Sequence, residues 1–125
     1  MPRHSLVLAA AFAMIAVMAS ARPALAAYGA FAYDEATGKY GVAWNEDTES
    51  RAREVALKDC KSPGCKIVMP VGPHICAALA TAETGTAWGG VNDRPTKDAA
   101  RLRALENCQK RTSGKCVVRA SECNR

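Results

Sequence analysis

Sliding the chain over itself by 48 positions sets residues 28–60 against 76–108 without a gap, and ten of the thirty-three pairs are identical. Gly41/Gly89, Thr48/Thr96, Leu57/Leu105 and Cys60/Cys108 stand in that frame, with Ala30/Ala78, Ala32/Ala80, Ala52/Ala100 and Ala56/Ala104. Glu35/Glu83 and Arg53/Arg101 complete it. Two copies of one short supersecondary unit leave few folding options, because neither is large enough to bury its own apolar face. Each copy needs the other as its lid.

The pattern within a copy predicts its elements. Tyr28 to Tyr33 alternates small and aromatic residues, a period-two strand signal. Asp34-Glu35-Ala36-Thr37-Gly38 is turn chemistry, and Tyr40 to Trp44 returns as the second strand of a hairpin. Thr48 then offers a hydroxyl to the orphan N–H groups of a helix from Glu49 to about Asp59, with Ala52, Val55, Ala56 and Cys60 on one face. Lys66 to Val71 is apolar enough for a third strand. The second copy repeats the plan with a hairpin from Ile75–Ala82 and Trp88–Val91, a helix capped by Thr96, and a last strand over Cys116–Ala120. The expected class is α+β: two tandem ββαβ units (about 28–71 and 76–123) related by a pseudo-twofold. Antiparallel sheets pair or merge, and two helices cover a face.

Cysteine usage and the N-terminus specify the compartment. Arg3 and His4 precede an uncharged run from Ser5 to Ala21, and Ala24-Leu25-Ala26 presents small residues before Ala27. This reads as a secretory signal over residues 1–26, cut after Ala26, followed by one disulfide-rich domain over 27–125. The mature form is expected in the periplasm or the medium and does not span the membrane. All six cysteines follow the signal, and an even count in a short exported chain reads as a disulfide framework. Six cysteines permit fifteen pairings. The element plan suggests Cys60–Cys65 and Cys108–Cys116 as staples of the helix-to-strand turns, with Cys76–Cys123 tying the middle of the chain to its end. Zinc is not expected, since the seven residues between Cys108 and Cys116 are too many for a zinc knuckle.

The Gly41-x-x-Trp44 hairpin, the Thr-capped alanine-rich helix and the Cys-loop-Cys-strand together resemble one bacterial family, the domain of unknown function 4189. Tyr28-Gly29-Ala30, Tyr40 to Trp44, Ala52 to Cys60, Gly64 to Val68, Cys76 to Leu79, Trp88-Gly89 and Ala99 to Cys108 carry the likeness. The second copy departs from it, with Asn92 where the first has Trp44. The resemblance implies an exported, disulfide-bearing protein and transfers no catalytic residue.

No catalytic, cofactor or metal constellation is legible. His74 is the only histidine after the leader and sits in a Gly-Pro-His turn; a dyad with Cys76 needs a free thiol, against the even count. Asp34, Glu35 and Glu83 fall in hairpin turns, where acidic residues serve turn geometry. A Glu35/Glu83 pair related by the pseudo-symmetry is the one hydrolase alternative.

Charge is more informative. The whole chain carries +5, but residues 27–93 hold nine acidic and six basic side chains, whereas residues 94–125 hold nine basic and three acidic. Arg101, Arg103, Lys110, Arg111 and Lys115 form the expected patch for an anionic envelope polymer or a protein partner. Nucleic acid is not expected, since Trp88 is the only aromatic of residues 84–125. The reading is a non-enzymatic binding module of the envelope or secretome, with a small hydrolase or a passive stress-protective protein as alternatives.

Overall fold

A computed structural model describes residues 26–125; the expected leader, apart from Ala26, lies outside the described residues. The elements run β1 (Tyr28–Tyr33), β2 (Tyr40–Glu46), α1 (Glu49–Cys60), β3 (Lys66–Val71), β4 (Cys76–Ala82), β5 (Trp88–Arg94), α2 (Lys97–Gln109) and β6 (Cys116–Cys123). Each half is a ββαβ unit forming its own antiparallel three-stranded sheet, in the orders β2-β1-β3 and β5-β4-β6. The fold is α+β, as expected. The caps are the expected ones too: Thr48 accepts from Arg51 N at 3.0 Å and Thr96 from Ala99 N at 3.1 Å.

The sheets stay separate and stack, and the helices cover opposite outer faces rather than a common one. The reason is the strand pleat, which sends alternate side chains to opposite faces. On β1, Ala30 and Ala32 turn outward to Ala52 and Ala56 of α1. On β4, Ala78 and Ala80 meet Ala100 and Ala104 of α2. The larger intervening residues, Phe31 and Leu79, turn inward and form the inter-sheet core with Val71 and Ala77. The result is a four-layer helix–sheet–sheet–helix sandwich. β3 packs over β5 and β2 over β6, two contacts that exchange when the units are swapped, as a pseudo-twofold requires. Irregularities in strand register recur at equivalent places, between Tyr28/Ala30 and Cys76/Ala78 and between Phe31/Ala32 and Leu79/Ala80.

Small residues let the outer layers close. A Cβ at Gly41 would lie 2.1 Å from Ala56 O, and one at Gly89 2.2 Å from Cys108 N, so each helix rests directly on strand backbone. Asp59 Oδ2 accepts from Val42 N at 2.9 Å, and the equivalent Asn107 donates from Nδ2 to Gly90 O at 3.0 Å.

The three disulfides join Cys60–Cys65, Cys108–Cys116 and Cys76–Cys123. The last links directly opposed residues of β4 and β6, because β6 runs on to Cys123 instead of stopping near Ala120. Beyond it the chain end crosses to the first unit. Asn124, 4% exposed, donates from Nδ2 to Val71 O and Gly72 O and accepts at Oδ1 from Asn45 N. Asn45 accepts in turn from Arg125 N at 2.9 Å. No helix among the described residues is long and apolar enough to cross a membrane.

Candidate functional site

Both hairpin turns lie at the same end of the sandwich and touch. Tyr33, 1% exposed at the end of β1, donates its hydroxyl to Thr86 O at 2.7 Å. Burial, then the nearby Glu35 and Asp34 carboxylates, hold its phenol above the ordinary value, which keeps the hydroxyl protonated as a donor. Trp88, the first residue of β5, packs its ring 5.9 Å from that of Tyr33 and donates its indole N–H to Glu35 Oε1 at 3.4 Å. The Arg111 guanidinium lies over the Trp88 ring, 4.9 Å from its centroid.

Three shallow depressions meet around this cluster. One of 390 Å³ is lined by Glu35, Thr86, Ala87, Trp88 and Arg111. A second of 340 Å³, at the edge where β3 overlies β5, shares Trp88 and Arg111 and adds Met69, Gly90, Asn107 and Lys110. A third of 450 Å³ shares Glu35 and extends past Tyr33 to Lys66 and Val68. The first two are lined by residues of both units.

The loop that carries Arg111 is fixed on several sides. Arg111 N donates to Cys108 O at 2.9 Å, and the Cys108–Cys116 bridge closes the segment. Gln109 spans it, donating to Gly114 O at 2.8 Å and accepting from Cys116 N at 3.0 Å.

The expected basic patch divides. Lys110 and Arg111 are exposed beside Trp88, and neither forms an ion pair among the described residues. Arg103 pairs with Glu106 at 3.0 Å, and Lys115 lies 3.8 Å from Glu83. Arg101 is exposed on α2, but helical spacing sets it roughly 200° around the axis from Arg103. Five cations close in sequence therefore make one two-residue cluster and three separate charges.

The turn carboxylates also separate. Glu35 faces Trp88 and Glu83 faces Lys115. Asp34 is structural: it is 3% exposed, accepts from Ala36 N at 2.9 Å, and receives the Ser62 hydroxyl, pinning the α1–β3 loop. The Ser62 bond, followed by the Ala36 bond, holds its carboxyl below the ordinary 3.8. A depressed folded-state value means stability that is present above the unfolded value and lost as pH falls through the folded one. Urea midpoints of the wild type should therefore decline below about pH 4, and the decline should be shallower in D34N. His74 is exposed with φ 60°, its N–H on Arg125 O at 3.4 Å, and Cys76 is held in its disulfide.

Trp88 is the site residue that the sequence reading used as a strand start, as part of the family likeness and as a lone aromatic, but not as a site residue. Two signals were available: it takes the place of Tyr40 in the repeat frame, and it is the lone aromatic of its half. What the spacing does not reveal is that the loop after α2 folds back over it.

Fold and site together define a disulfide-stapled double ββαβ sandwich presenting an aromatic, cationic groove. The sequence profile of the domain of unknown function DUF4189 matches residues 28–123, and the chain belongs to this family. No curated protein and no solved structure matches it.

Proposed function

We propose that the chain is an exported, non-enzymatic binding module that holds an anionic partner at the bacterial cell envelope or among secreted molecules. One observation carries the reading: Lys110 and Arg111 flank Trp88 on a fixed loop, exposed and without a carboxylate partner among the described residues. Cations beside a half-buried aromatic favour an anionic ligand that also offers apolar surface. Three disulfides suit an oxidising compartment, consistent with the secretory reading of residues 1–26. The separate partners of Glu35 and Glu83 give no support to a carboxylate hydrolase.

Cosedimentation of the oxidised protein with washed cell-envelope material tests this. Wild-type protein should bind at low salt and be released by high salt. The double variant K110A/R111A should lose most of the bound fraction, and R101A should keep it. Equal retention of wild type and K110A/R111A would overturn the reading.

A further inference from the structure

We propose that the Trp88 groove binds an acidic polysaccharide, with Arg111 taking a hexuronate carboxylate. This rests on the anionic-partner reading above and names its ligand class. The Arg111 guanidinium lies 4.9 Å from the Trp88 ring centroid, and a guanidinium can give a carboxylate two parallel N–H bonds. Among the described residues no carboxylate lies within ion-pair distance of Arg111. The loop holding Arg111 is already ordered by its disulfide and by Gln109, so little conformational freedom is lost on binding.

The rest of the site selects against a polymer that offers negative charge without hydroxyl donors. Glu35 lines the same depression as Arg111, beside Trp88. A carboxylate there repels a polyphosphate or a polyacidic peptide but accepts hydroxyl donors. The ligand that satisfies both residues offers a carboxylate and hydroxyl groups on the same ring, as a hexuronate does. Two shallow depressions of 390 and 340 Å³ that share Trp88 and Arg111 offer room for sugar rings, with Trp88 and Met69 as apolar contacts.

Calorimetric titration of the oxidised protein with four probes tests the assignment. They are oligogalacturonate, dextran as a neutral sugar chain, and polyglutamate and polyphosphate as charge without rings. Oligogalacturonate should bind saturably and the other three weakly or not at all. R111A should weaken it by about tenfold or more, as expected for losing a charge-assisted bidentate contact. R111K should not restore it, because an ammonium lacks the planar fork. R101A should match the wild type, and near-UV dichroism should show every variant folded. Equal binding of dextran, or of oligogalacturonate by R111A, would overturn the proposal. Equal binding of polyglutamate or polyphosphate would refute the sugar while leaving the anionic-partner reading. Silence from oligogalacturonate alongside salt-sensitive envelope cosedimentation would do the same, and failure of both experiments would remove both readings.

Discussion

The double variant C76A/C123A should lose about 4 kcal/mol of unfolding free energy, on the chain-entropy model for a bridge closing a long loop. The sequence separation is 47, against 5 and 8 for the other two bridges. A domain of this size is typically stable by only about 5–15 kcal/mol, so this single bond decides whether the fold survives moderate stress. The position adds to the effect. The bridge joins β4, the central strand of its sheet, to β6, and the residue after it is Asn124, whose side chain satisfies Asn45, Val71 and Gly72 of the first unit. Losing the bridge loosens β6 and the inter-unit clasp together. Reduction of all three disulfides should unfold the protein. Urea denaturation of the double variant, with near-UV dichroism of a reduced sample, reads both effects. A loss under about 1 kcal/mol, or native dichroism after reduction, would mean that packing alone holds the two units.

Alanine at Gly41 or Gly89 should cost about 3 kcal/mol or more, in the range of severe overpacking. The obstructing atoms are backbone: Ala56 O and Cys60 N at Gly41, Cys108 N and Ala104 O at Gly89. No rotamer change clears them, so the helix must lift from the strand, opening the alanine layer and breaking the Asp59 or Asn107 bond to it. Gly72 is the control, since a Cβ there meets nothing nearer than 3.7 Å. G72A should unfold close to the wild-type urea midpoint while G41A and G89A fall far below it. Similar midpoints for all three would mean that the helices have room the structure does not show.

These two residues also mark how the sequence encodes the fold. Gly41/Gly89, Thr48/Thr96 and the paired alanines of the helices identify the ββαβ unit, because each meets a local backbone demand: close approach, capping or thin packing. The alternation of Ala30-Phe31-Ala32 also contains the four-layer stacking, since its two faces differ in size. That consequence appears only once Leu79 is placed opposite Phe31. The site is less legible. Charge counting along the chain finds Lys110 and Arg111 but also Arg103 and Lys115, whose carboxylate partners depend on tertiary placement. Trp88 is hidden because its partners come from the first hairpin and from the loop after α2, joined by topology and not by spacing.

Trp88 and Arg111 are the proposed contact surface, and the indole N–H of Trp88 reports on it directly. Two-dimensional NMR of nitrogen-15-labelled oxidised protein should show two indole signals, from Trp44 and Trp88, which W88F would assign. Trp44 packs against Phe31, ring centroids 5.2 Å apart, and serves as an internal reference. Titration with soluble polymer extracted from the cell envelope should shift the Trp88 signal saturably, leave Trp44 in place, and fail in R111A or at high salt. Binding that shifts neither indole, or both equally, would contradict a partner held at this groove.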